Sequence, residues 1–384
     1  MRSGAVALVF GTRPELVKLA PLVHELGDGC VTVHTGQHSW DRLAPIARDL
    51  GVGAPTVAAS VPGTPVPHQV GAAIAAVGDA LADLTPDVVV VQGDTNSTVA
   101  GALAASGLGV PVAHVEAGLR AHDRDLPEER NRIVVDHLAD LLYAPTDTAR
   151  DHLLGEGCDP GAVTVTGNTV VDAVLASRPD PAATSAVLDR FDVAADAFVL
   201  ATFHRQENVD EPERLAAIVD QLATIPMPVV LTVHPRTRDR AARAGIELAR
   251  GPVRAVDPLG FRDFLALESA CAFLVSDSGG VQEEASILGR PVLVARRSTE
   301  RPEVVGTFAT LVDPATGIAP AATALAADVA GAHERLAGRP CPFGDGRAAA
   351  RIGADLRARY AGDGGPARRY DAARGRRDAS VPSG

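Results

Sequence analysis

The sequence is poor in aromatic residues and in cysteine. Aromatic residues make up 3% of the 384 residues, so alanine, valine and leucine must fill most of any core. The four cysteines are scattered and form no C-x-x-C pair, which predicts reduced thiols rather than a disulfide framework. They are Cys30, Cys158, Cys271 and Cys341.

Long hydrophobic runs are also missing. No segment approaches the length of a membrane span, and the run from Ala5 to Phe10 is too short for the apolar region of a signal peptide. We therefore expect a cytoplasmic protein without a membrane partner. The formal net charge of -12 argues against nucleic acid as a partner, although local basic sites for a small phosphorylated ligand remain compatible with it.

Several catalytic signatures are absent as well. The sequence has no H-E-x-x-H and no zinc spacing, so we expect no metal site. It has neither G-x-x-x-x-G-K-[ST] nor G-x-G-x-x-G, which argues against an NTPase and against a dinucleotide enzyme. G-x-S-x-G, the mark of a hydrolase nucleophile, is missing too.

Short apolar runs alternate with helix-sized segments along the chain. Runs that are apolar on both faces suit parallel strands covered by helices, so the pattern predicts doubly wound α/β sheets. We expect one domain over 1–172, a second over 173–343, a linker near 176–185, a closing helix over 344–360 and a disordered tail over 361–384. The runs include Ala5–Phe10, Val31–His34, Val88–Gln92, Val112–Val115, Leu142–Ala144, Val163–Val165, Phe198–Phe203, Val229–Val233, Phe273–Ser276 and Val292–Ala295.

The stretch from Asp277 to Ala285 follows the apolar run Cys271–Ser276, which predicts a strand. A glycine turn comes next, then a helix over Val281–Leu288 that Gly289 ends, and then a second strand at Val292–Ala295. Ser278, Gly279 and Gly280 let a ligand approach the backbone, and the N–H groups at the helix start favour an anion. The glutamates in the first turn can accept hydrogen bonds from ribose hydroxyls. A purely structural alternative is that Asp277 and Ser278 cap the helix.

Polar residues follow the other predicted strands, where ligands of open parallel sheets bind. Each of these residues, taken singly, also has a purely structural interpretation. Asp94 can be a helix cap, the arginines and the lysine can be surface charges, and the histidines can be polar residues whose hydrogen bonds are all made within the fold. Glu116, at the end of an apolar run, needs a partner or a function. The candidates are Arg13, Lys18, Gln37, His38, Asp94, Glu116, Glu128, Asn131, Arg132, His204, Arg205 and His234.

Taken together, these motifs resemble the UDP-N-acetylglucosamine 2-epimerase family over roughly residues 5 to 360. The resemblance implies a GT-B fold, with two doubly wound Rossmann-like domains facing across a cleft that holds a UDP-sugar. The motifs are Gly11-Thr12-Arg13-Pro14-Glu15, Gln92-Gly93-Asp94-Thr95, His114 to Arg120, Pro127-Glu128-Glu129, Thr166 to Thr169, His204-Arg205, Asp277 to Ala285 and Thr299 to Glu303.

The resemblance also implies roles for these residues, without a metal or redox cofactor. Asp94, Glu116 and Glu128 become the acid/base group, and His204 joins the catalytic residues beside the departing UDP. Glu284 is expected at the ribose and Phe264 on the uracil ring. Diphosphate and supporting contacts are expected from Arg13, Lys18, Gln37, His38, Asn131, Arg132, Arg205, His234, Ser278, Gly279, Gly280 and Arg301.

The expected reaction is reversible C2 epimerisation of UDP-N-acetylglucosamine to UDP-N-acetylmannosamine, through elimination and re-addition of UDP. Two enzyme alternatives stay open: a hydrolysing epimerase that releases N-acetylmannosamine and UDP, and a GT-B glycosyltransferase. A nucleotide-sugar sensor without turnover is the non-enzymatic alternative. We expect a homodimer.

Overall fold

A computed structural model of the chain describes residues 6–58 and 65–360. The tail predicted to be disordered, 361–384, lies outside the described residues. The described chain forms two units, each around its own parallel sheet. The first unit draws on residues within 1–119, 123–169 and 347–384, and the second consists of 120–122 and 170–346.

The first unit contains a seven-stranded sheet in the order β3-β2-β1-β4-β5-β6-β7. All of its paired strands are parallel. The central strands are buried on both faces, as the unbroken apolar runs of the sequence predict. The strands are β1 (Val6–Phe10), β2 (Cys30–His34), β3 (Val57–Ala58), β4 (Val88–Gln92), β5 (Val112–Val115), β6 (Leu141–Ala144) and β7 (Val163–Val165).

Helices connect these strands, and small residues let them pack closely. In the helix after β4, a Cβ added to Gly101 would lie 2.9 Å from Val91 Cγ1, so glycine allows the helix to approach the sheet. This packing explains how a chain poor in aromatics builds a core. The helices are α1 (Arg13–Leu26), α2 (Trp40–Asp49), α3 (Val66–Leu84), α4 (Asn96–Gly107), α5 (Pro127–Leu138) and α6 (Asp147–Gly155), with 3₁₀ turns at Gly27–Gly29 and Pro160–Ala162.

The second unit contains a six-stranded parallel sheet in the order β10-β9-β8-β11-β12-β13. Its core packs around β8, β9 and β11 and includes Phe203, Leu231 and Phe273. The strands are β8 (Val199–Phe203), β9 (Val229–Val233), β10 (Val253–Val256), β11 (Phe273–Ser276), β12 (Val292–Ala295) and β13 (Ala309–Val312).

The helices of the second unit follow its strands in the same way. The helix after β11 ends at Gly289 in a left-handed conformation (φ 66°), as its sequence predicts, but it starts at Gly279 rather than Val281. The helices are α7 (Thr169–Ser177), α8 (Pro181–Phe191), α9 (Gln206–Val209), α10 (Pro212–Leu222), α11 (Pro235–Ala244), α12 (Phe261–Ala270), α13 (Gly279–Leu288), α14 (Ile318–Ala327) and α15 (Val329–Leu336), with a 3₁₀ turn at Pro302–Val304.

Most of the predicted linker over 176–185 is helical, and only residues 178–180 lie outside helices. Pro181 occupies the first turn of α8, and Asp180 caps that helix by accepting a hydrogen bond from the Ala183 N–H at 2.8 Å. Proline and aspartate therefore mark a helix start here. The domain boundary drawn at residue 172 stays a prediction.

The closing helix, α16 (Ala348–Tyr360), begins four residues later than predicted and packs on α1 in the first unit. Gly344 and Gly346 precede it with φ values of 115° and 77°, which a helix cannot contain.

The two sheets confirm the predicted α/β class of two doubly wound, Rossmann-like domains of the GT-B-like type. The strands that the apolar runs did not reveal, β3, β10 and β13, are all edge strands. In β10 and β13 several residues are partly or fully exposed, which removes the continuous apolar signal.

In each sheet the strand order reverses beside the first strand, between β1 and β4 and between β8 and β11. Doubly wound sheets bind ligands beyond the carboxyl ends of the strands at this switch point. None of the helices in 6–58 and 65–360 has the length and apolar character that crossing a bilayer requires.

Candidate active site

Glu15 joins the two strand ends at the switch point of the first unit. Its Oε2 accepts hydrogen bonds from the N–H groups of Gly11 (3.0 Å) and Thr12 (2.8 Å), and its Oε1 accepts one from the Thr95 hydroxyl at 2.7 Å. Burial raises the pKa of Glu15, and these hydrogen bonds lower it in part. Sequence reasoning treated Glu15 only as a neighbouring charge, although the T-x-x-E pattern signals a capping box.

Glu116, at the end of β5, lies in a buried network of charged side chains. Its carboxylate is ion-paired with Lys18 and with Arg132, and it accepts a hydrogen bond from Asn168 Nδ2 at 2.9 Å. Arg132 is also ion-paired with Asp94, and so it connects the two carboxylates. The Asp94 side chain keeps 22% of its surface exposed against 3% for Glu116, so Asp94 is the more accessible of the two.

This network places Lys18 beside a carboxylate, although the sequence predicted a diphosphate contact for it. The predicted phosphate role of Lys18 stays a prediction. Asn168 belongs to the quoted T-G-N-T motif, but sequence reasoning did not select it as a site residue, because nothing local indicates that its amide reaches Glu116.

The backbone of Glu116 is left-handed, with φ 68°, which is uncommon for a residue with a side chain. Its own N–H and that of Ala117 both donate to the Tyr143 carbonyl, at 3.1 and 3.2 Å. Arg132 Nη1 donates to the Glu116 carbonyl at 2.6 Å. Strained backbone of this kind costs about 1–3 kcal/mol and concentrates at functional sites.

A second buried pair supports the loops that carry these carboxylates. His114 Nδ1 lies 2.7 Å from Asp136 Oδ1, and His114 Nε2 lies 2.8 Å from the Gly93 carbonyl. The other oxygen of Asp136 accepts the Gly118 N–H at 3.2 Å. His114 and Asp136 therefore tie the end of β4 to the turn after β5. The sequence predicted neither residue as part of the site.

Glu128, the third predicted carboxylate, is exposed in the first turn of α5. Among the described residues, no hydrogen bond joins it to Asp94 or Glu116. Asn131, one turn later, donates from Nδ2 to the Asp94 carbonyl at 2.9 Å. The structure thus brings Asp94 and Glu116 together, with Asn131 and Arg132 holding their loops, and leaves Glu128 at the surface.

The remaining candidates of the first unit lie at the same sheet edge. Gln37 Oε1 accepts hydrogen bonds from the Ser97 N–H (2.9 Å) and hydroxyl (2.6 Å), so this side chain caps α4. His38 donates its backbone N–H to the Gly11 carbonyl at 2.8 Å and exposes its ring. Arg13 is half-buried at the start of α1.

In the second unit, the carboxylate of Asp277 connects two strand ends, as Glu15 does in the first unit. Its buried carboxylate accepts the N–H groups of His204 and Arg205, each at 3.1 Å, and the Asn208 Nδ2 at 3.0 Å. It therefore fastens the loop after β8 to the end of β11. The sequence suggested a helix cap for Asp277, which its burial and these partners replace.

Two histidines stand side by side where β8 and β9 end. The ring centroids of His204 and His234 are 5.8 Å apart. His204 keeps 40% of its side chain exposed. His234 caps α11 through Nδ1, which accepts the Arg236 N–H at 3.2 Å. Arg205 donates from Nε to the Asp277 carbonyl at 3.2 Å, so these basic groups share one edge of the sheet.

The anion site predicted at the start of α13 stays a prediction, and the local structure there is as follows. A Cβ added to Gly279 would lie 2.6 Å from Arg301 Nη1, so a larger residue there would have to displace the Arg301 guanidinium. Ser278 is the N-cap residue but makes no capping hydrogen bond through its side chain. Gly280 follows in the first turn, where the N–H groups lack partners within the helix.

Arg301 is buried and donates from Nε to Glu283 Oε1 at 2.9 Å, so Glu283 supports an arginine. Glu284 is half-buried on α13, and Phe264 is 9% exposed on α12. The predicted contacts of Glu284 with ribose and of Phe264 with uracil stay predictions.

The chain matches the model of one protein family over residues 27–357, and the description of that family is UDP-N-acetylglucosamine 2-epimerase. It is 38% identical to UDP-N-acetylglucosamine 2-epimerase of Methanocaldococcus jannaschii over 320 residues, covering 80% of this chain and 87% of that protein. It is also 38% identical to UDP-2,3-diacetamido-2,3-dideoxy-D-glucuronate 2-epimerase of Pseudomonas aeruginosa, covering 78% and 85%.

Among solved structures, the chain is similar to UDP-GlcNAc 2-epimerase of Neisseria meningitidis bound to UDP-GlcNAc. The TM-score is 0.85 at 32% identity, and the similarity covers 92% of this chain and 99% of that one.

Proposed function

Because the chain belongs to the UDP-N-acetylglucosamine 2-epimerase family, we propose that it interconverts UDP-N-acetylglucosamine and UDP-N-acetylmannosamine by inversion at C2 of the sugar. The observation that carries the proposal is the buried network in which Arg132 connects Asp94 to Glu116. A binding protein without turnover has no need of two carboxylates and a strained backbone at this point.

The proposed chemistry is an elimination followed by an addition. A base removes the C2 proton while the C1–O bond breaks, which gives 2-acetamidoglucal and UDP. UDP then adds back to C1, and C2 receives a proton on the opposite face. The reaction needs a base, an acid and positive charge beside the departing diphosphate.

Residues of the first unit suit the proton transfers. Glu116 is ion-paired with Lys18 and Arg132, and an ion-paired carboxylate is in the form that a base requires. Asp94 is more exposed and can reach a bound sugar. Glu128 is assigned to the same group by its motif, although the structure leaves it at the surface.

Residues of the second unit suit the nucleotide. The N–H groups of the first turn of α13 favour the diphosphate, and His204 with Arg205 supplies positive charge at the neighbouring strand end. Glu284 is assigned to the ribose and Phe264 to the uracil.

The sugar of the substrate needs a test of its own, since the similar protein of Pseudomonas aeruginosa has a different UDP-sugar in its name. Both UDP-sugars carry an acetamido group at C2, so the same elimination applies to either. A test therefore has to offer both.

The experiment is incubation with each UDP-sugar in D₂O, followed by NMR. Deuterium at C2 with UDP still attached supports the epimerase. Free sugar and UDP indicate the hydrolysing alternative, and an unchanged substrate leaves the transferase or sensor. The Glu116→Gln protein is the control, because it should bind UDP without exchanging the C2 proton.

We also expect a homodimer. Light scattering of the purified protein measures its mass directly, and a monomer at assay concentrations would contradict the expectation.

A further inference from the structure

Arg296 is a buried arginine beside the start of α13 whose guanidinium group is incompletely paired. It directly follows β12, which pairs with β11 so that Val294 lies opposite Ser276, and β11 leads into α13. The residue is 3% exposed. Its Nε and Nη1 atoms have no hydrogen-bond partner among the described residues.

The nearest carboxylate, Glu300, is shared with two other arginines. Arg296 Nη2 and Arg205 Nη2 each lie 3.5 Å from Glu300 Oε1, and Arg301 is ion-paired with the other oxygen. Glu207 lies 3.9 Å from Arg296 Nε, beyond hydrogen-bond distance, and its side chain is 42% exposed. Arg301 has a second carboxylate partner in Glu283, at 2.9 Å, so Arg296 is the arginine of this group with the weakest pairing.

This group of three arginines is in contact with the start of α13, where the anion site is predicted. Arg301 lies against Gly279, the first residue of the helix, so closely that a Cβ there would have to displace its guanidinium. Arg205 binds the carbonyl of Asp277 just before it. An arginine stays charged in a protein, and leaving a buried charge without full pairing is costly. Such a group indicates a ligand that completes the pairing.

We propose that Arg296 is an anion-binding residue whose Nε and Nη1 donate hydrogen bonds to the diphosphate of the nucleotide. This inference rests on the proposed function for the identity of the ligand. The negative charge on the diphosphate increases as the C1–O bond breaks, so a buried cation here stabilises departing UDP as well as bound UDP.

An underpaired Arg296 also affects the stability of the ligand-free protein. Replacing an underpaired buried charge with an apolar side chain of similar size is often neutral or stabilising. Arg296→Met leaves the buried Glu300 with Arg205 and Arg301, and Glu207, which loses its 3.9 Å ion pair, is 42% exposed to water. The variant should therefore be at least as stable as the wild type without ligand. An arginine with only a structural role would give a less stable variant.

The test compares the wild type, Arg296→Met and Arg296→Lys by calorimetry with UDP and with uridine. Arg243→Met, which removes an arginine side chain that is 69% exposed on α11, is the matched control. We expect Arg296→Met to bind UDP about 10- to 100-fold more weakly, because hydrogen bonds to charged groups are strong. Uridine affinity should not change, the lysine variant should be intermediate, and the control should behave as the wild type.

Thermal unfolding of the same proteins gives the second readout. UDP should raise the melting temperature of the wild type more than that of Arg296→Met. Three results would overturn the inference: unchanged UDP affinity, equal losses for UDP and uridine, or a lower melting temperature of ligand-free Arg296→Met. A wild type that does not bind UDP would remove the proposed function itself, which is a separate result.

Discussion

Glu116 combines burial, a left-handed backbone and two cationic partners in one residue. Burying the Glu116 carboxylate costs free energy, and its ion pairs offset that cost. The left-handed backbone also costs free energy, and hydrogen bonds to the backbone of Glu116 hold it in place. A local structural role, such as capping, would need none of them. At the scale of single residues, this is the strongest indication of chemistry.

The first prediction concerns the carboxylates. Asp94→Asn, Glu116→Gln and Glu128→Gln should each retain UDP binding and lose turnover by about 10²- to 10⁴-fold, the usual contribution of a general acid or base. Turnover of the UDP-sugar and calorimetric UDP affinity are the measurements.

Asp125→Asn is the control for these variants, because it neutralises an exposed aspartate two residues before α5. Near-normal turnover in all three variants would remove the acid/base assignment. Normal turnover in Glu128→Gln alone would confine the chemistry to the two carboxylates that Arg132 connects.

The second prediction concerns His34, which is 1% exposed at the end of β2 between the rings of Phe10 and Trp40. Burial lowers the pKa of His34 below its usual value. A hydrogen bond with the backbone of His38 raises this pKa in part, and charge repulsion from the His38 ring lowers it further. The unfolded chain then takes up a proton before the folded one does as the pH falls. The stability that His34 contributes is present above pH ~6.5 and is lost as the pH falls through the lowered pKa.

His34→Phe should therefore reduce the loss of stability between pH 7 and pH 5, values chosen on either side of the usual histidine pKa of about 6.5. Urea unfolding followed by the fluorescence of Trp40, the one tryptophan of the chain, measures this directly. His68→Phe removes an exposed histidine from α3 and serves as the control. Identical pH dependence in wild type and His34→Phe would contradict the prediction.

At the scale of secondary-structure elements, α16 belongs to the first unit although it comes last in the chain. Ile352 and Leu356 are buried in it, and Tyr143 Oη of β6 donates to Asp355 Oδ2 at 2.9 Å. Arg351 Nη1 also donates to the Thr166 carbonyl at 3.0 Å. These contacts make α16 part of the packing around the sheet that carries the carboxylates.

The third prediction follows from this packing. Ile352→Ala should lower the free energy of unfolding of the first unit by about 2–5 kcal/mol, as for other buried isoleucines. Trp40 fluorescence reports that unit. Ile318→Ala, an equally buried isoleucine in α14, is the matched control in the second unit. Equal shifts of the Trp40 transition in both variants would show that α16 does not stabilise the first unit selectively.

At the scale of the whole molecule, each unit has a buried cluster of its own, around β8, β9 and β11 in the second unit and around β1 and β4 in the first. Proteins with separate cores often depart from two-state unfolding.

The fourth prediction is that urea unfolding followed by circular dichroism shows two transitions. One should coincide with Trp40 fluorescence, and UDP should shift mainly the other, because we assign the nucleotide to the second unit. At a hundred times its Kd, UDP should add about 2.7 kcal/mol. A single transition that coincides with Trp40 fluorescence and shifts as a whole would contradict this.

The architecture was predictable because its signals are local. An apolar run such as Val88–Gln92 predicts a buried strand from its own residues, and Gly289 predicts a helix end from its own backbone freedom. The order of polar residues after the strands then placed Asp94, Glu116 and His204 at the sheet edges. The edge strands β10 and β13 were missed because their half-exposed residues carry no continuous apolar signal.

Which charged side chains pair with each other in the fold was not predictable from the sequence in this way. Lys18 and Glu116 are 98 positions apart, and their pairing depends on the placement of β1 and β5 on either side of β4. Asp277 meets His204 and Arg205 because β8 and β11 are neighbours in the sheet, and Arg296 is underpaired because three arginines converge on Glu300. Residue type sets which charges a segment carries, whereas strand order and packing decide which charges meet, since Coulomb and hydrogen-bond energies depend on distances that the linear chain does not contain.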